Sequence, residues 1–329
     1  MRKKNLLYIT VCFCFMTSLI VYPSVASDGV KYGLSLCASV LIPSLFPFTV
    51  ASLVLFKLKV PVLSQKAIIM LLSHLGGYPV GAKLIDTAYK EKEIDKKTAE
   101  LMLGYCVNSG PAFIIIVIGI GIWKSRTIGL ILLTASILSS ALIMLMNMCA
   151  VPKFETEIKT PKNHSSFSDI FVDATQEATG SMFKICGSVV LFSALISLVK
   201  PLLQNLTFSD TLLSTLEITN GVVLAQNNIY LTAFLMGFGG LSVHFQILSI
   251  CENVRPNYLR FLLFRIIQGV LCSVIASFLL KIFKISTQVL NSHREFCFEL
   301  SKYSIVFSVM LMICCLLFML SVRKPDNLL

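Results

Sequence analysis

The sequence predicts an all-α polytopic membrane protein of two inverted repeats, each with a re-entrant broken-helix hairpin, and about seven or eight transmembrane helices. Three observations carry that prediction. The 329 residues are 56% hydrophobic and only 14% charged, against roughly a quarter charged in a soluble domain. Two apolar segments are each broken by a Gly-Gly pair, Gly76-Gly77 and Gly239-Gly240. The two breaks also sit in similar surroundings, which points to duplication.

The formal net charge of +11 does not signal nucleic acid. The basic residues gather at segment ends (Arg2-Lys3-Lys4, Lys57 and Lys59, Lys90 to Lys97, Lys153 to Lys162, Arg323-Lys324), as bilayer anchoring and loop orientation require. No basic stripe with interleaved aromatics is present. The 11 cysteines lie mostly in apolar runs and show neither a disulfide framework nor metal spacing. His74, His164, His244 and His293 are dispersed, so no metal site and no cofactor are expected.

Residues 5–26 follow a basic start and end in Ser24-Val25-Ala26, the small-residue pattern of a cleavage site. The apolar run exceeds a usual signal core, which favours a retained first helix over residues 1–30. A first repeat then covers 31–150. It holds a span at 32–56 with Pro43 and Pro47, the broken segment at 67–89, a charged helical linker from Tyr89, an apolar segment at 100–122 interrupted by Asn108-Ser109-Gly110-Pro111, and a span at 127–150. Residues 151–178 read as a polar linker. The second repeat core, 179–285, holds a span at 182–199, a short segment at 212–225 with Glu217 and Asn220, the broken segment at 233–250 with glycines 237, 239 and 240, and a span at 258–283 carrying Arg265 and Gln268. A last span at 303–322 and a basic tail complete 286–329.

Gly76-Gly77-Tyr78-Pro79-Val80-Gly81-Ala82-Lys83 aligns with Gly239-Gly240-Leu241-Ser242-Val243-His244-Phe245-Gln246. Gly-Gly and Val coincide, a helix starter (Pro79 or Ser242) holds the same place, and each octet ends on a long polar donor. Upstream, Cys37-Ala38-Ser39-Val40-Leu41 resembles Cys186-Gly187-Ser188-Val189-Val190 in the same order. Three crossings per half would invert the second half relative to the first, an arrangement that places a solute site at paired breaks near the midplane. Irregular backbone survives at membrane depth only where it is buried in protein or lines a wet cavity.

A half-helix starting after Gly77 turns free N–H groups and a positive dipole end toward the break. Lys83 one turn on would add charge for a small polar or anionic solute, or would snorkel to the interface. The glycines equally suit close helix packing. Glu217 reads either as a carrier of a coupling proton or cation or as an aqueous-loop residue. Asn108, Ser109 and Gln268 either bind solute or bridge helices, and His244 reads first as a packed histidine. The candidate solute-binding set is Gly76, Gly77, Tyr78, Pro79, Lys83, Asn108, Ser109, Glu217, Asn220, Gly239, Gly240, Ser242, His244 and Gln246. No catalytic residues and no enzyme activity are expected, since no nucleophile–base pair is visible.

The stretches GGYPVGAK, NSGPAF, LEITNG and GFGGLSVHFQILSI resemble, in this order, the sporulation integral membrane protein YlbJ family, over about residues 33–285. That family is similar to the wider group of nucleoside-recognition gate membrane proteins, which includes the spore maturation proteins. The motif positions are Gly77, Tyr78, Pro79, Gly81, Lys83, Asn108, Ser109, Gly110, Pro111, Glu217, Asn220, Gly239, Gly240, Ser242, His244 and Gln246. The resemblance implies a role in endospore formation at the cortex stage, in the membrane around the forespore. It supplies no substrate, and fold likeness does not fix function. The expected partners are the lipid bilayer, an unidentified small polar solute and other sporulation membrane proteins, with a homo-oligomer left open and no nucleic acid. The main reading is a transporter or gated pore; the alternative is a non-transporting scaffold that recruits sporulation partners through the polar linker.

Overall fold

The computed structural model describes residues 2–58, 65–148, 166–203 and 208–285, and among these the chain is helical with no strand. Five helical stretches are long and apolar enough to cross a membrane: Pro23–Lys57, Arg126–Asn147, Phe167–Leu203, Ile229–Ile250 and Tyr258–Ile282. The last expected span, 303–322, and the basic tail lie outside the described residues.

The helices are inside-out relative to those of a soluble protein. The final one buries Arg265, Gln268, Gly269 and Cys272 while Leu263, Ile266, Val270, Val274 and Phe278 face outward. In Arg126–Met148, Ser136, Ser139 and Ser140 are buried, whereas Leu138, Leu142, Leu145 and Met146 are exposed. Polar groups turned inward and apolar ones outward suit a surround of lipid. The protein is a multi-pass membrane protein.

Helix α1 (Arg2–Val21) stops at Tyr22, and α2 (Pro23–Leu36) starts with proline at its N-terminus. Helix α2 runs unbroken between the expected apolar stretches at 5–26 and 32–56. The charges there cost little, because Asp28 and Lys31 pair three residues apart on an exposed face. A π-helical turn, Cys37–Leu41, joins α2 to α3 (Ile42–Lys57). Its cause is local: the Ile42 N–H reaches the Cys37 carbonyl five residues back, and Pro43 beside it has no N–H to give.

Helices α4 (Gln65–Gly76) and α5 (Tyr78–Lys90) meet at Gly77 and fold back on each other. A Cβ on Gly81 would lie 2.9 Å from that of Ser73, whereas eight residues along a straight helix span about 12 Å. A charged turn leads to α6 (Lys96–Leu103), capped by Asp95, and an irregular stretch at 104–110 leads to a helix that is π-wound over Phe113–Ile122. Helix α7 (Arg126–Met148) follows.

Helix α8 (Phe167–Leu203) has 37 residues, so the second part of the expected 151–178 linker is helical. Ala174 and Ala178 are buried, while Asp173 and Glu177 both pair with Lys57 at the end of α3. In the described part, the polar residues Asp173 and Glu177 belong to the outer face of a packed helix; residues 151–165 of the expected linker lie outside the described residues. Short α9 (Ser209–Ser214) and α10 (Ile218–Leu224) are followed by α11 (Ile229–Phe238), α12 (Gly240–Ile250) and α13 (Tyr258–Ile282). The break falls at Gly239-Gly240, and Gly237 is not part of it. Gly237 sits within α11, where a Cβ would meet Gly269 of α13 at 2.6 Å, so it serves close packing. Helix α8 packs along α2 and α3, α11 packs on α13, and α12 packs on α5 and α8.

Candidate functional site

Both breaks require backbone that only glycine takes easily. Gly77 has φ 83° and ψ −176°, and Gly239 has φ 89° and ψ −13°. Gly240 also has positive φ, at 76°. Gly76 does not; it serves contact, because a Cβ there would strike the Val80 side chain at 2.5 Å.

Each break lies against another chain reversal. Gly77 faces Gly110, which directly precedes Pro111 at the start of the π-wound helix. Gly240 faces the backbone of Glu217 and Ile218 at the start of α10. The N–H groups of Leu241 and Ser242 donate to the carbonyls of Thr215 and Leu216, at 2.9 and 2.8 Å, so the free donors of this half-helix are taken by protein. The two breaks also touch each other. The Tyr78 hydroxyl donates to the Met236 carbonyl at 2.6 Å, and its ring lies about 3.5 Å from where a Gly239 Cβ would be.

Where they meet there is a small cavity of about 30 Å³, lined by Tyr78, Pro79 and Ser109 from the first half and by Glu217, Thr219 and Gln246 from the second. Leu41 and Leu45, beside the π-helical turn, and Val189 of α8 complete an apolar flank. The volume suits one or two waters. Glu217 is 1% exposed and caps α10, with Oε1 accepting from the Thr219 N–H at 2.9 Å and Oε2 from the Asn220 N–H at 2.7 Å. The Asn220 amide also donates to Oε2, at 2.8 Å, and to the Ser193 hydroxyl of α8, at 2.9 Å. The carboxylate is therefore held rigidly, yet Oε1 retains acceptor capacity beside the cavity. The buried hydroxyls of Ser109 and Thr219 make no hydrogen bond of good geometry among the described residues; Ser109 lies beside the Tyr78 hydroxyl and Thr219 beside the Glu217 carboxylate.

Of the expected set, Tyr78, Pro79, Ser109, Glu217 and Gln246 line this cavity, and the four glycines form the two breaks without lining it. Asn220 and Ser242 support it, Ser242 by accepting from the Gln246 amide at 3.2 Å. Three candidates lie elsewhere. Lys83 is half-buried and outside the lining. Its neighbour Asp86 is fully engaged, taking the N–H groups of Asn253 and Val254 and the Asn253 amide, and so ties α5 to the loop before α13.

Asn108 bridges helices. Its oxygen accepts from Ser140 at 2.8 Å and Gln268 at 2.5 Å, and its amide donates to the Tyr105 carbonyl and faces His74 Nε2 at 3.2 Å. His74 Nδ1 lies 2.9 Å from the Met70 carbonyl, which fixes the proton on Nδ1 and leaves Nε2 to accept. His244 packs among Phe238, Tyr258 and Phe261, with Nε2 on the Phe238 carbonyl at 2.9 Å, closing the end of α11.

The candidate set omitted Thr219 and Arg265. Thr219 stands within the LEITNG stretch between two residues that were chosen. Arg265 had its own signal, a guanidinium inside an apolar span. It is 0% exposed; Nη1 donates to the Val107 carbonyl, while Nε and Nη2 have no partner among the described residues.

No family model and no solved structure matches this chain. Over 345 aligned positions it is 24% identical to the sporulation integral membrane protein YlbJ of Bacillus subtilis (strain 168), covering 85% of this chain and 84% of that one. That similarity bears out the family resemblance, at a distance.

Proposed function

We propose that this chain, a relative of the YlbJ sporulation membrane proteins, serves endospore formation by passing a small polar or anionic solute through the cavity between its two broken helices. The observation that carries this reading is the meeting of both breaks, from segments more than 150 residues apart, around one buried carboxylate and the buried hydroxyls of Ser109 and Thr219. A purely structural crossing of helices gains nothing from a buried carboxylate, which is costly in an apolar interior. A binding site gains a means of replacing a solute's water.

The cavity is smaller than a metabolite, so admitting one requires the two halves to part. Alternating access then consists of one half moving against the other about the crossing. A second contact agrees with a repeat of that kind: Cys37 and Cys186, which the sequence alignment of the halves makes equivalent, lie together, with the Cys37 thiol 3.8 Å from the Cys186 carbonyl. Residues related by a two-fold axis meet where they lie on it.

The test is sporulation efficiency, with membrane protein level measured alongside, in Gly240→Leu and Glu217→Gln variants. Leu at Gly240 is expected to abolish function without abolishing insertion, since its φ of 76° excludes branched side chains. Glu217→Gln keeps shape but removes charge, and a large loss is expected. Normal spores from both variants at normal protein level would remove the cavity from the mechanism.

A further inference from the structure

Arg265 is the largest fully buried side chain among the described residues, and no carboxylate among them pairs with it. Its guanidinium lies 5.9 Å from the centre of the Phe261 ring, and its titratable neighbours are Tyr78, Cys106, Cys272 and His244. A buried ion without a counter-ion is penalised by several kcal/mol. One bond to the Val107 carbonyl does not repay that, and a neutral amide could make it; Gln268, one turn along the same helix, bridges in that neutral way. What only arginine supplies here is a planar fork with two further N–H directions, the geometry that matches a carboxylate or a phosphate.

The fork is adjacent to the solute cavity. Val107, which it holds, lies two residues before Ser109, a cavity-lining residue beside the Tyr78 hydroxyl. Tyr78 neighbours both the cavity and Arg265: its ring belongs to the cavity wall, and its hydroxyl ends on Met236 of α11, the helix packed against α13. Moving that ring would release its hydroxyl from Met236 and open the cavity toward the guanidinium. We propose that Arg265 is the anion receptor of the central site, that the solute carries a carboxylate or phosphate group, and that Tyr78 is the side chain that yields to admit it. This rests on the reading of the cavity as a solute site.

The experiment uses the purified full chain in lipid nanodiscs. Succinate and inorganic phosphate are titrated separately against thermal unfolding, with sodium chloride at matched ionic strength as the reference. One oxyanion is expected to raise the wild-type midpoint saturably and beyond chloride, and which one does so separates a carboxylate solute from a phosphate one. Arg265→Lys keeps the charge but not the fork, and its affinity is expected to fall by roughly tenfold or more. Arg265→Met is expected to fold and lose the response. Wild-type affinity in Arg265→Lys, or no oxyanion effect beyond chloride in the wild type, overturns the proposal. Sporulation separates the two levels: if Gly240→Leu and Glu217→Gln fail while Arg265→Lys binds normally, Arg265 loses its role and the cavity keeps its own. Normal spores from the first two would remove the cavity itself.

Discussion

Gly77 and Gly239 both carry positive φ, yet they occupy different backbone regions, and the difference is measurable. Gly239, with ψ near −13°, lies close to the left-handed helical region that asparagine tolerates. Gly77, with ψ −176°, lies in a region open essentially to glycine alone, at about 1–3 kcal/mol for other residues. Space is not the issue at either, since an added Cβ would sit 3.4 Å or more from its neighbours. Gly239→Asn is therefore expected to lower the thermal midpoint less than Gly77→Asn, and equal losses would show that the strain argument misjudges one break. Gly81 is the contrary case: its Cβ would fall 1.7 Å from the Cys106 carbonyl, so sterics alone exclude alanine. Lys83 shares a stripe of α5 with Thr87 and Lys90 that becomes more exposed toward the charged turn at 91–94. An anchoring lysine fits that stripe, so Lys83→Arg is expected to sporulate normally and Lys83→Met to do modest harm. Loss of sporulation in Lys83→Arg at normal protein level would restore a role in binding.

Among the helices, Lys57 joins α3 to α8 through Asp173 and through Glu177 at 3.1 Å. Asp173 is more than half exposed, so Lys57→Met is expected to cost no more than about 1 kcal/mol, with the difference from wild type shrinking in high salt. A salt-independent loss in the unfolding curve would mean that the apolar stem of Lys57 matters more than its charge. This contact also shows why α8 was only half legible. A helix whose outer face is acidic and whose inner face is alanine looks like a linker until its basic partner, over 100 residues earlier, is placed beside it. The breaks and α13 were legible because glycine, proline and a long apolar run act locally. Asp86 was not, because what decides its meaning is a partner gained from Asn253, more than 160 residues later; the charge of Arg265 was visible in the sequence, but not that its Nε and Nη2 would be buried without partners.

For the whole molecule, the two broken segments make different topological claims. Helices α4 and α5 pack along each other as a hairpin, whereas α11 and α12 do not, which departs from the expected second re-entrant hairpin; the 22 residues of Ile229–Ile250 reach about 33 Å, enough to cross the hydrocarbon core. Single cysteines in a background without native cysteines, labelled with an impermeant maleimide, should react from one side at residues 66 and 92 and from opposite sides at 228 and 253. Opposite-side labelling of the first pair, or same-side labelling of the second, would overturn that topology.

Helix α8 has a further consequence. Its 37 residues extend about 56 Å, nearly twice the roughly 30 Å of a hydrocarbon core. The ion pairs to Lys57 sit in its first three turns, and the apolar stretch from Ala178 onward is long enough to cross by itself. The earlier turns therefore extend about 15 Å beyond what a crossing needs, and they stay packed, with Ala174 and Ala178 buried and the ion pairs holding them to the end of α3. One continuous helix thus carries both that salt-sensitive clamp and, further along, Val189 in the cavity wall.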